Sequence, residues 1–197
     1  MPGRRSWAGC EGIRSPAQNG AGMIVLGIDP GTASTGYGVV ARRGGRLLAL
    51  DGGVIATAAG EALELRLAAI HARVCELLDE HRPDAVAVEE LYFGVNVKSA
   101  FAVGHARGAA LLAAGSRRLP CRGYTPQQIK GAVCGSGRAE KDQVQRMVAA
   151  LLGLAEPPRS DHAADALAVA ICDLNHAPVS HAVAAAGPRP APAGAVP

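Results

Sequence analysis

Apolar positions along the chain change period several times, and each change marks an element. Residues 23–29, MIVLGID, are almost continuously apolar and predict a buried strand. GYGVVAR and RLLALDGGVIA continue it as an antiparallel pair, with Gly44 and Gly45 forming the hairpin turn between them. From Glu61 to about His81 the period lengthens. Leu63, Leu67, Ile70, Val74 and Leu77 recur at helical spacing, a stripe that predicts a core-facing helix with His71 beside it at the surface. DAVAVE at 84–89 predicts a short strand, 99–114 a helix, CRGYT a further strand and 140–152 another helix. After Pro157 and Pro158 a last helix opens as RSDHAADALAVAI. Three strands, then helices alternating with strands, predict an α/β domain on a mixed sheet.

The two ends carry no such pattern. Residues 1–22 are rich in Gly, Arg, Ser and Pro without strand or helix periodicity, and lack the apolar segment of a secretory signal. Met23 is expected to be the natural initiator. Residues 179–197 are Pro, Ala and Gly low-complexity sequence, expected to be disordered. The folded domain is therefore expected at 23–178.

Composition adds limits. The 197 residues suit one domain with extra ends. Aromatics are only 3% against 49% hydrophobic residues, so the core must be aliphatic and alanine-rich. A formal charge of +3 permits a nucleic-acid partner without demanding one. The five cysteines, Cys10, Cys75, Cys121, Cys134 and Cys172, show neither C-x-x-C nor zinc spacing. They are expected to be free thiols in a reducing cytoplasm. No apolar run approaches the roughly 20 residues that span a bilayer.

The last helix raises the chemical question, because Asp161, His162 and Asp165 crowd its start. Side chains alternate along a strand, so Val25, Gly27 and Asp29 share one face of the first strand, and Ala85, Ala87 and Glu89 one face of the later one. Both faces are small-sided and end in a carboxylate. A helix carrying Ala163, Ala164, Ala168 and Ala170 fits against them, which brings Asp29, Glu89 and the polar turn together. His162 and Asp165 lie three apart and Asp161 and Asp165 four apart, so either pair can share a face. Acids gathered at a desolvated edge raise one another's pKa unless a cation neutralises them, and such oxygen-rich sites suit Mg²⁺ or Mn²⁺. The plainer reading of Asp161 is an N-cap. Glu90 points away from Glu89, and GIDPGTASTGYG alone reads equally as a glycine-rich hairpin.

GIDPGTASTGYGVV, AVEELYF, VGHARGAA, QIKGAVCGSGRAEKDQVQRMV and HAADALAVAI occur in that order and at credible spacing. Together they resemble the RuvC-type Holliday-junction resolvases of the RNase H-like superfamily, over nearly all of the chain from Met23 to about Asn175. The resemblance implies an RNase H-like fold, α/β with a mixed five-stranded sheet flanked by helices. It also implies metal-dependent nicking of two like-polarity strands of a four-way junction during DNA recombination and repair. Carried over by motif, Asp29, Glu89 and Asp165 would hold two Mg²⁺ per subunit. The fourth position is His162, with Asp161 as the alternative shifted by one residue. A histidine there makes the site less anionic and adds a nitrogen donor. Mn²⁺ is therefore expected to serve at least as well as Mg²⁺, with activity declining below roughly pH 6.5.

By the same resemblance Tyr92 or Phe93 stacks on unpaired bases at the crossover, and Lys130 and Lys141 contact phosphates. Arg138 adds charge where GSGRAEK opens a helix, and Arg107 either touches DNA or bridges helices. A homodimer and the RuvA–RuvB branch-migration machinery are the implied partners. Three other readings compete. The D-x-G-T stretch also resembles the phosphate loop of actin-like ATPases, which need a second lobe that this length excludes. An RNase H-like exonuclease would carry D-x-E in the first strand, where this chain has Asp29-Pro30-Gly31. A junction-binding module with a decayed site is the non-catalytic alternative.

Overall fold

Strand pairing around the first strand organises the molecule. The computed structural model describes residues 22–90 and 97–185. In chain order these form β1 (Met23–Asp29), β2 (Ser34–Arg43), β3 (Arg46–Ala56), α1 (Leu63–His81), β4 (Ala85–Glu89), α2 (Val97–Ser116), β5 (Cys121–Tyr124), α3 (Pro126–Cys134), α4 (Lys141–Leu152) and α5 (Asp161–Ala185). The five strands make one sheet in the order β3-β2-β1-β4-β5. β1 lies antiparallel to β2 and parallel to β4, and β4 is parallel to β5, so the sheet is mixed. Gly44 and Gly45 turn the β2–β3 hairpin at φ 54° and 78°, values that favour glycine.

Alternation along β1 and β4 divides the interior between two faces. Leu26, Ile28, Val86 and Val88 pack with Ile70, Val74 and Leu77 of α1 and the alanines of α2. Val25 and Ala87 pack with α3, α4 and α5. The stripe of α1 is shorter than its spacing suggests. Leu63, the first residue of the helix, is 40% exposed. The sequence pattern also gives no warning of α3. Its start is fixed by a capping box: the Thr125 hydroxyl accepts from the Gln128 amide and the Gln128 side chain accepts from the Thr125 amide.

α5 is buried from Ala163 through Leu174, except for the half-buried Asp165, because the sheet covers one side and α3 and α4 the other. It sits unusually close to the sheet. A Cβ at Gly27 would stand 2.1 Å from the Ala166 carbonyl oxygen, and one at Gly38 would stand 2.7 Å from the Leu167 nitrogen. Glycines in two adjacent strands thus form the seat on which the alanine face of α5 rests.

One buried charge pins the far part of this helix. Asp173 is fully buried and accepts from Arg122 Nε at 2.5 Å, Arg122 Nη2 at 2.7 Å and the Tyr124 hydroxyl at 2.8 Å. The forked guanidinium matches both carboxylate oxygens. Replacing Arg122 with Met should therefore destabilise the protein by about 3 kcal/mol, since an unpaired buried carboxylate is costly and Tyr124 relieves only part of it. In a thermal melt that is a fall of roughly 10 °C. A change of only a degree or so would mean that the fork does not hold α5 to β5.

Candidate active site

β1 and β4 run side by side, and their last registered pair is Ile28 with Val88. The next residues, Asp29 and Glu89, therefore leave adjoining strand tips on the same face, with backbones roughly 5 Å apart. On the other side, Asp29 pairs with Gly36 of β2. Gly36 is where α5 begins its contact with the sheet. A Cβ there would stand 1.9 Å from the His162 carbonyl oxygen. This close approach brings the His162 ring over Asp29, where Nδ1 donates to Asp29 Oδ2 at 2.7 Å. Gly36→Ala should push the first turn of α5 outward. Overpacking so tight a contact should lower stability by about 1–3 kcal/mol. A melt of the variant unchanged from wild type would contradict this.

The electrostatics of the cluster follow from crowding. Burial, then the like charges of Asp29 and Asp165, push the Glu89 carboxyl up to about 8, and a hydrogen bond to Asp29 adds to the rise. The Asp165 carboxyl is likewise raised by burial, with Lys141 opposing and Asp29 reinforcing the effect. Lys141, the first residue of α4, supplies the counter-charge. Its ammonium lies 3.0 Å from Asp161 Oδ2 and 3.7 Å from Asp165 Oδ2. The hydrogen bond that Lys141 donates to Asp161 raises the Lys141 pKa.

The model of the family "Crossover junction endodeoxyribonuclease RuvC" matches residues 25–173 of the chain. The chain belongs to the RuvC family. A RuvC from Moorella thermoacetica is 56% identical over 156 residues, covering 79% of this chain and 93% of its own. One from Rubrobacter xylanophilus is 50% identical over 167 residues, covering 85% and 93%. The structure of Thermus thermophilus RuvC in complex with a Holliday junction substrate superposes with a TM-score of 0.77 at 45% identity, covering 80% of this chain and 96% of that one. A yeast mitochondrial Holliday junction resolvase shares the fold, with a TM-score of 0.56 at 12% identity. RuvC proteins are metal-dependent nucleases.

Within this RuvC-family chain, the four residues expected as ligands stand at one end of the sheet. Asp29, Glu89 and Asp165 interact electrostatically, and His162 bonds to Asp29. Among the described residues no three acidic, histidine or cysteine side chains are grouped so as to hold one ion. Asp161 is not an N-cap. It is the first residue of α5, the carbonyl of Ser160 before it accepts the first helical bond from Ala164, and the Asp161 carboxylate serves Lys141 and Gln145 instead.

Lys141 belongs to the acidic cluster, a placement its motif position did not reveal. Arg138 is exposed ahead of α4, and Lys130 is half-buried on α3. Tyr92 and Phe93 lie outside the described residues. The sequence reading also missed the Arg122–Asp173 fork. An acid inside so apolar a helix was the available signal. No helix among the described residues is long and apolar enough to cross a membrane, and four of the five cysteines are free there.

Proposed function

We propose that this chain resolves four-way DNA junctions by nicking two strands of like polarity, with Asp29, Glu89, His162 and Asp165 holding two divalent cations per subunit. The gathering of Asp29, Glu89, His162 and Asp165 at one end of the sheet in a RuvC-family chain carries the reading, and burial with the like charges of Asp29 and Asp165 lifts Glu89 to about 8. Two like charges beside a buried carboxyl are a poor arrangement unless a cation completes it. The donor set fits that role. Three carboxylates and an imidazole suit Mg²⁺ or Mn²⁺, and the hydrogen bonds His162–Asp29 and Glu89–Asp29 are ones that a bound cation would replace.

Bound divalent ions supply the charge needed to deprotonate an attacking water and to stabilise the leaving oxygen. The protein's part is orientation. Asp29 stands between Glu89 and His162, the best position from which to serve both sides of a scissile phosphate. The Lys141 ammonium, half-exposed at the rim, is available to a phosphate oxygen. Arg138 and Lys130 would add positive charge for the phosphates of the junction, and Tyr92 or Phe93 would stack on bases opened at the crossover. A homodimer would match the near two-fold symmetry of a junction. The RuvA–RuvB machinery and a cytoplasmic setting complete the proposal.

The test is nicking of a synthetic four-way junction with Mg²⁺, Mn²⁺ or chelator. Nicks at symmetric positions on two strands are expected with either metal and none with chelator. His162→Ala should lose most turnover with either metal. Tight junction binding without nicking under either metal would leave a binding module instead.

A further inference from the structure

Asp161 has a distinctive position. Its side chain is 61% exposed at the edge of the acidic cluster, yet both carboxylate oxygens are engaged, and by the same helix. Gln145 Nε2 donates to Oδ1 at 2.8 Å, and Lys141 Nζ lies 3.0 Å from Oδ2. Lys141 and Gln145 are four residues apart, so they share one face of α4. Asp161 thereby joins the starts of α4 and α5. It also decides where the ammonium rests, nearer to Asp161 than to Asp165 at 3.7 Å.

Lysine has a flexible stem with many rotamers and a compact charge. Without Asp161, the strongest attraction on the Lys141 ammonium would be Asp165, whose carboxylate the proposed cations also require. An ammonium closed onto Asp165 would compete with the metal and leave the rim. We infer that Asp161 is a positioning residue. It draws Lys141 off Asp165 and holds the ammonium at the mouth of the site, keeping the carboxylate free for metal and the charge free for a phosphate. This inference rests on the nuclease reading above. It assigns Asp161 no contact with metal or DNA.

An exposed ion pair contributes little to folding, so Asp161→Ala should melt as wild type does. In metal-free protein, acetylation of Lys141 relative to Lys130, followed by mass spectrometry, should change by roughly threefold, a size that an exposed pair supports. In junction nicking the variant should need several times more Mg²⁺ for half-maximal rate and turn over roughly tenfold slower, with junction affinity falling no more than a few-fold, as for one lost phosphate contact. Those effects should vanish when Asp161→Ala is added to Lys141→Met, because residues acting through one another are not additive.

Equal losses in both backgrounds, or unchanged Lys141 labelling, would overturn the inference. So would a loss as deep as that of a metal ligand, which would make Asp161 the fourth ligand. Wild-type protein that nicks no junction would remove the nuclease reading and this inference with it. That outcome shows before any variant is compared.

Discussion

Asp29→Asn should lower junction nicking by roughly 10³-fold or more while leaving junction binding and the fold intact. The magnitude follows from the several kcal/mol of charge stabilisation that metal ions give a phosphodiester transition state, with about 4 kcal/mol corresponding to three orders of magnitude. The substitution is nearly isosteric. Asparagine at the tip of β1 retains an oxygen that can accept from His162 Nδ1, so the contact between β1 and α5 survives. What disappears is the negative charge at the centre of the cluster.

Glu89 would report that loss independently of catalysis. Asp29 is the largest charged contributor to its raised pKa after burial itself. In the asparagine variant Glu89 should titrate lower, closer to the ordinary carboxylate range. Junction binding, measured by gel shift in Ca²⁺, should stay within a few-fold of wild type. Retention of more than a tenth of wild-type turnover would show that Asp29 is not central to the reaction.

The convergence of these residues was legible because it depends on two periodicities. Alternation puts Gly27 with Asp29 and Ala87 with Glu89, and the alanines of α5 mark the element small enough to lie on that face. The structure adds the reason for the closeness, Gly36 beneath the His162 carbonyl, which lies on β2 and has no signature beyond a glycine in a strand. Other features depended on tertiary pairing across long stretches of chain. Arg122 and Asp173 are 51 residues apart, and Lys141 and Asp161 meet only because α4 and α5 start side by side. Local pattern carries no information about such partners. α3 escaped notice for a different reason. Its nine residues include a glycine and only two buried side chains, too short a stripe to count as a period. Asp161 was misread as a cap because propensity alone favours aspartate there, whereas the nearby ammonium claims its charge.

Glu89→Gln should make the metal-free protein more stable at alkaline pH and nearly inactive. The folded state holds a proton on Glu89 up to about 8, whereas the ordinary value is 4.5. A group whose pKa is raised by folding contributes its stability fully below the lower value and loses it as pH climbs through the higher one. Between pH 4.5 and about 8 the wild-type protein therefore loses stability from this residue, on the order of 3 kcal/mol once partial exposure is discounted. Glutamine has no proton to lose and keeps a donor for Asp29. In chelator at pH 9 the variant should melt roughly 6–12 °C above wild type, and at pH 4.5 the two should nearly coincide.

Contributions from Asp165 and Lys141 are present in both proteins, so the difference between the two curves isolates position 89. Adding Mg²⁺ should reverse the order at alkaline pH. A cation held by the proposed site would stabilise the folded wild type by mass action and gain far less from a site missing one carboxylate. Turnover of the variant should fall by roughly 10³-fold, as for Asp29. Glu89 thus opposes folding of the metal-free protein at alkaline pH. If the metal-free proteins melted together at pH 9, Glu89 would be an ordinary solvated carboxylate rather than one held neutral by its neighbours.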